Sequence, residues 1–145
     1  MTDAWYVPTG HNDPSSVWNN ETAAYDNSTS TRADTSVGAG SWSGFLELTH
    51  TELVCTKLRL RLHKVYPYVN TVDVDIYDGG AWVDVYQGGF SHDVWEEHAF
   101  AQQSVTRMRI RLHSDYGVTK PGYIAEGHFY GSPPSAEANP YSFVM

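Results

Sequence analysis

Thr56-Lys57-Leu58-Arg59-Leu60-Arg61-Leu62-His63 returns downstream as Thr106-Arg107-Met108-Arg109-Ile110-Arg111-Leu112-His113. Apolar and basic residues alternate strictly through both copies. A period of two puts alternate side chains on opposite faces of a β-strand. Both copies therefore predict a strand that buries Leu58, Leu60 and Leu62, or Met108, Ile110 and Leu112, and turns its cations the other way. Lys57, Arg59, Arg61, Arg107, Arg109 and Arg111 are six of the nine Lys and Arg in the chain.

The rest of the sequence agrees with an all-β reading. A chain of 145 residues suits one domain with a real core. Aromatics make up 14%, with ten Tyr and five Trp, and charged residues only 18%. Gly, Ser, Thr and Asn are abundant, and no stretch shows the 3.6-residue apolar rhythm of a helix. Strands are expected near residues 41–50, 54–65, 72–77, 82–86, 94–100, 105–113 and 123–130. Asp78-Gly79-Gly80 supplies a tight hairpin between the third and fourth. Seven or eight such strands with regular turn signals predict an antiparallel β-sandwich or jelly roll.

The ends read differently. Residues 1–22, broken by Pro8, Gly10 and Pro14, are expected as an N-terminal arm, with Trp5, Tyr6, Val17 and Trp18 as anchors that pin it either to the body or to a neighbour. Residues 23–131 would form the sandwich. Residues 132–145 follow as an extended C-terminal tail closing on Tyr141, Phe143, Val144 and Met145, which either folds back or docks on another subunit.

Net charge is −8, with most cations held in two strands, which argues against a nucleic-acid binder. Asp73 and Asp75 have the phase to form cross-strand ion pairs with Arg59, Arg61, Arg109 and Arg111 if these strands share a sheet. Each pair would contribute ~0.2–1 kcal/mol. The functional alternative is a surface for an anionic glycan or a neighbouring subunit. The single cysteine, Cys55, rules out an intrachain disulfide and reads as a small buried hydrophobe. Met1-Thr2-Asp3-Ala4-Trp5 lacks the basic and apolar regions of a secretory signal, and no run approaches a membrane span.

No catalytic constellation stands out. The seven histidines (His11, His50, His63, His92, His98, His113 and His128) show no H-x-H or HExxH spacing. His63 and His113, ending the twin strands, are the pair that could approach each other. Glu96 and Glu97 are adjacent on a strand and face opposite ways, so they cannot serve as a glycosidase acid–base pair. No G-x-S-x-G and no phosphate-cradling loop occurs, and a non-enzyme is expected. Trp18, Trp42, Tyr66, Tyr68 and Tyr116 are loop aromatics of the kind that stack on sugars, and the sequence singles out none of them.

Ala23-Ala24-Tyr25-Asp26-Asn27-Ser28-Thr29-Ser30-Thr31-Arg32 resembles the first loop of discoidin-like, galactose-binding-like jelly rolls, whose pattern reads roughly Asn-Ala-hydrophobic-Asp-Gly-Asn-x-Ser-Thr. Tyr123-Ile124-Ala125-Glu126-Gly127-His128-Phe129-Tyr130-Gly131 resembles the closing strand of the same fold. The resemblance spans about residues 17 to 131 and implies that fold. In many members these two segments hold one structural Ca²⁺, which here implies Asp26, Ser28, Thr31 and Glu126 as ligands. Calcium takes six to eight hard oxygens in flexible geometry, which carboxylates, a Thr hydroxyl and turned carbonyls can supply. Asn27 stands where Gly is usual, and Asn tolerates left-handed backbone.

Such domains occur in carbohydrate-binding modules, in adhesion proteins and as structural proteins of tailed phages. With the twin strands, the Asp78–Trp82 hairpin and the N-terminus, the resemblance implies a phage version. That is a non-enzymatic virion structural protein, a capsid decoration or a tail or appendage component. It would be localised to the virion and assemble through its arms as a homo-oligomer or with other virion subunits, with no nucleic-acid or membrane partner. The alternative is a carbohydrate-binding module for host-surface or polysaccharide adhesion, with a glycan as partner.

Overall fold

The computed structural model describes residues 3–134. Nine strands follow one another: β1 Ala4–Tyr6, β2 Gly10–Asn12, β3 Trp18–Asn19, β4 Ala33–Val37, β5 Leu46–His63, β6 Val69–Tyr77, β7 Trp82–Gly89, β8 Trp95–Ser114 and β9 Lys120–Ser132. One short 3₁₀ turn, Glu21–Ala24, separates β3 from β4. All pairings are antiparallel, in the order β3-β4-β9-β5-β8-β6-β7, with β1 added to β9 and β2 to β5.

The topology closes into a sandwich because β5 and β8 each serve both layers. Leu46–Thr49 pair with Arg107–Ile110, whereas Lys57–Arg61 pair with Trp95–Ala99 and, on the other side, with β9. The register breaks between Thr49 and Leu53 and again between Cys55 and Lys57. Such bulges bend a strand and let it pass from one sheet to the other. The sequence suggests two strands in each of these regions, 41–50 with 54–65 and 94–100 with 105–113. The structure joins each pair through a corner, since alternation alone does not distinguish a bent strand from two short ones.

The twin phrases therefore lie in opposite layers and point their leucines at each other. Leu58, Leu60, Leu62, Met108, Ile110 and Leu112 are all at most 2% exposed. A Cβ on Gly127 would meet Leu60 of its own layer and Leu48 and Met108 of the other, which locates the plane where the layers touch. The hairpin forms as expected. β6 and β7 pair from Tyr77↔Trp82 outward, Gly79 takes φ +98°, and Asp78 Oδ1 accepts from the backbone of Gly80 and Ala81 at 2.9 Å each.

The N-terminal segment is pinned to the body, the first of its two expected dispositions. β1 pairs with the end of β9 (Trp5↔Tyr130), where β4 does not reach, and β2 pairs with β5 (Gly10↔Thr49). Trp5 packs 4.9 Å from Tyr130, Tyr6 packs on the core, and Trp18 is 4% exposed with its Nε1 donating to Gly44 O. The prolines split this segment into short edge strands, which saturate free backbone groups of the chain's own sheet. Ser132 ends β9. Ser135 to Met145 of the expected tail lie outside the described residues. Among the described residues, no helix is long and apolar enough to cross a membrane.

Candidate functional site

The outer faces of both layers are columns of alternating cations and rings. Arg109 lies between Phe45 (4.2 Å) and Trp82 (4.3 Å), and Arg111 over Trp42 and Phe45 at 4.6 Å each. Beneath them Arg109 Nε donates to Asp75 at 2.7 Å and Arg111 Nε to Asp73 at 2.9 Å. This is the anticipated cross-strand ladder, with its carboxylates at only 6% and 4% exposure. Burial pushes the Asp75 carboxyl up and the Arg109 guanidinium pulls it back.

Arg59 and Arg61 belong to the other layer and do not join that ladder. Arg59 lies between Trp5 (4.3 Å) and Trp95 (4.1 Å) and donates to His128, while Arg61 pairs with Asp93 at 3.0 Å. A ring stacked on a guanidinium offers solvent mainly its edge. Trp5, Trp42, Phe45, Trp82 and Trp95 are thus spent on the sheets. Asp73, Asp75 and Asp84 gather within 4.8 Å of one another, but the first two are already neutralised by Arg111 and Arg109.

The rings left open cluster at one end of the sandwich, where the β5–β6 and β8–β9 turns meet. Tyr66 is 79% exposed and Tyr116 49%. Tyr68 meets Tyr116 edge-on at 5.6 Å, and its carbonyl accepts the Asp115 N–H at 2.8 Å. Tyr68 and Val69 N–H both return to Val65 O, which closes the turn that presents Tyr66. Asp115 accepts from Thr71 Oγ1 at 2.8 Å and is held to His113 Nδ1 at 2.7 Å. A carboxylate only accepts, so the His113 proton lies on Nδ1 and Nε2 is left as an acceptor. Trp42 packs 4.9 Å from His113, and Lys120 Nζ lies 4.6 Å from the Tyr68 ring centre. The end thus combines open ring faces with a fixed acceptor, a carboxylate and an ammonium, the chemistry that holds a polyhydroxylated ring.

The four residues implied as metal ligands are also brought together, at the outer side of β9. Asp26 accepts from Thr31 Oγ1 and, at 3.0 Å, from Ser28 N. Glu126 accepts from Asn27 N at 3.0 Å. Asn27 takes φ 61°, the left-handed geometry expected where it replaces Gly. Arg59 Nε donates to His128 Nδ1 at 3.1 Å, so His128 carries its proton on Nε2 and gives it to Glu126 Oε1 at 2.7 Å. Glu126 is fully buried, with the Asp26 carboxyl close enough to act on its charge. Burial pushes the Glu126 carboxyl up, with His128 opposing. For Asp26, burial is outweighed by hydrogen bonds from the Thr31 hydroxyl and the Ser28 N–H, which hold it below the usual range. A like charge beside a buried carboxylate disfavours its ionised form, and a cation between the two would relieve that. The donors are all hard oxygens, so the site fits calcium chemistry.

The other candidates resolve into structural roles. His63 meets Arg32, His92 and Tyr123, while His113 meets Trp42 and Asp115, so the twin-strand histidines end opposite layers and form no pair. Cys55 is buried, and burial pushes its thiol up to about 12. Trp18 is core. Sequence reasoning missed the His113–Asp115–Thr71 group. Its only linear signal is a His and an Asp two apart at a strand end.

The described chain has the discoidin-like, galactose-binding-like jelly-roll fold. Its structural neighbours include carbohydrate-binding modules and longer glycoside hydrolases. A CBM32 of AlyQ in complex with 4,5-unsaturated mannuronic acid superposes with TM-score 0.66 at 13% identity, covering 87% of this chain and 97% of that one. The family 32 CBM of Clostridium perfringens NanJ in complex with galactose gives 0.55 at 14% identity, over 89% and 92%. Chitosan-binding module 1 of a Paenibacillus sp. IK-5 chitosanase/glucanase gives 0.55 at 18%, over 90% and 94%. Some neighbours are parts of longer proteins: this chain spans 35% of a truncated AlyQ with CBM32 and alginate lyase domains. No family model and no curated protein sequence matches the chain.

Proposed function

We propose that this chain is a non-catalytic carbohydrate-binding module whose ligand docks at the Tyr66–Tyr68–Tyr116 end. The carrying observation is that open tyrosine faces gather there, beside a His113–Asp115 pair already fixed in tautomer and orientation. A pyranose laid on Tyr66 would bury its apolar face, while His113 Nε2 and Asp115 accept from hydroxyls and Lys120 donates. The glycan-binding modules among its structural neighbours support this reading over that of a particle subunit. Of the two arms that would carry assembly into a particle, the N-terminal one is paired within the chain through β1 to β3, and residues 135–145 of the other lie outside the described residues.

The test is binding of full-length protein to a glycan panel, with Tyr66→Ala alongside. Covering about 80 Å² of ring at about 25 cal/mol/Å² contributes about 2 kcal/mol, or about thirtyfold in affinity. Tyr66→Ala should lose that much with no change in Tm, because the ring is exposed. Equal affinity of the variant, or no binding across the panel, overturns the proposal.

Asp26, Ser28, Thr31 and Glu126 would hold one structural Ca²⁺, which would relieve the repulsion between the two carboxylates and tie the first loop to the last strand. Melting with calcium and with chelator tests this, because an ion bound only by the folded state raises Tm with its concentration. An unchanged midpoint at pH 7 removes the ion.

A further inference from the structure

Five of the nine Lys and Arg have a carboxylate partner: Lys57 with Glu97, Arg61 with Asp93, Arg107 with Glu47, Arg109 with Asp75 and Arg111 with Asp73. Arg59 is enclosed by Trp5, Trp95 and His128. The remaining three, Arg32, Lys64 and Lys120, form no ion pair among the described residues. All three border the tyrosine end. Arg32 lies 5.2 Å from the Tyr123 ring centre, Lys64 5.9 Å from that of Tyr66 and Lys120 4.6 Å from that of Tyr68.

Two histidines join the first two. Arg32 Nη1 donates to His63 Nδ1 at 3.0 Å, His63 packs 4.4 Å from His92, and His92 Nδ1 accepts the Lys64 N–H at 3.0 Å. The nearby acids are mostly engaged: Asp93 holds Arg61, and Asp115 holds Thr71 and His113. Asp34 lies on the Arg32 face of β4 and lines a shallow groove with Lys120. Burial holds the His63 ring below its usual range, and Arg32 and His92 push the same way. In a chain of net charge −8, the cations that have no carboxylate partner among the described residues line one strip, apart from the enclosed Arg59. Opposite charge along a strip draws an anionic partner, and aromatic neighbours select one with sugar faces.

We propose that the ligand of this end is an anionic glycan, whose carboxylate or sulfate groups are taken by Arg32, Lys64 and Lys120 while its rings rest on Tyr66 and its neighbours. This rests on the carbohydrate-binding reading and specifies its ligand class.

The test is calorimetric titration of the full chain with a polyuronate, a sulfated galactan, a neutral galactan and single-stranded DNA. Each is run at about 50 mM and about 500 mM NaCl, where exposed charges are progressively screened. The wild type is compared with Lys64→Gln/Lys120→Gln and with Arg32→Gln, all exposed or half-exposed positions whose Tm is checked. At least one acidic glycan should bind, and which one identifies carboxylate or sulfate. That binding should weaken about tenfold in high salt and about tenfold in the double variant, as expected for two or three exposed ion pairs. Binding to the neutral galactan alone overturns this inference and leaves the carbohydrate reading intact. Binding to no polymer overturns both. Acidic-glycan binding that survives both variants, or DNA bound equally well, overturns the strip as a glycan site.

Discussion

Replacing Arg109 with Ala should cost about 3 kcal/mol, far more than an ordinary surface arginine. The side chain makes one charged hydrogen bond to Asp75, at 2.7 Å, and stacks on two rings at 4.2 and 4.3 Å. A hydrogen bond to a charged group contributes about 1.5–3 kcal/mol, and each stack about 0.5–1 kcal/mol at a partly exposed site. The sum is discounted because the Arg109 side chain keeps 27% exposure, whereas Asp75 keeps 9%. Losing the arginine strands a buried carboxylate, and Asp75 should move further up in pKa. For a chain of this size about 3 kcal/mol lowers Tm by about 6–12 °C, readable by calorimetry.

Asp75→Asn in the same chain should restore at least about 1 kcal/mol, because the stranded charge is gone. Arg107→Ala is the internal control. Its bond to Glu47 is 3.3 Å long with the arginine 42% exposed, and its loss should cost no more than about 1 kcal/mol. Arg109→Ala within about 0.5 kcal/mol of wild type, or equal to Arg107→Ala, would refute the view that the cation–ring columns seal the outer faces.

Gly127→Ala should destabilise by about 1–3 kcal/mol, since its Cβ would lie 2.9 Å from Leu48 and 3.2 Å from Met108, both flexible tips across the layers. Gly131→Ala should be worse, because its Cβ would overlap the Val54 carbonyl, which is backbone and cannot swing away. Urea melts of the two rank them, and the reverse order would contradict the layer contact. His98, stacked on Tyr86 at 4.2 Å, is held below its ordinary value of 6.5 by burial, with Glu96 opposing. The unfolded chain therefore binds the proton more readily, and His98 adds stability above about pH 6.5 that is lost as pH falls through the folded value. His98→Gln should flatten the acid limb of Tm against pH between about 7 and 5, and an unchanged limb would contradict the shift.

The strands were legible where alternation was strict. Thr56–His63 and Thr106–His113 showed their faces because each Leu or Met follows a cation, and the Asp78-Gly79-Gly80 turn announced itself by residue type. The corners were not legible, since Thr51-Glu52 and Gln102-Gln103 carry the ordinary polarity of a loop while the backbone continues as strand. Aromatics misled most. Trp18 and Tyr66 look alike in a Pro-flanked stretch, yet one fills the core and the other projects. Asp26, Ser28, Thr31 and Glu126 were readable only through motif resemblance, because 95 residues separate Thr31 from Glu126. The unpaired cations became visible only once the sheet had assigned partners to the others.

The most direct measurement is a two-dimensional amide NMR titration of full-length, isotope-labelled protein with an acidic oligosaccharide. Shift changes should concentrate around Arg32 and in residues 63–71 and 113–120, with the sheet centres around Leu60 and Ile110 silent. Changes centred instead on Trp18, or on the Phe45 and Trp82 columns, would contradict the proposed site.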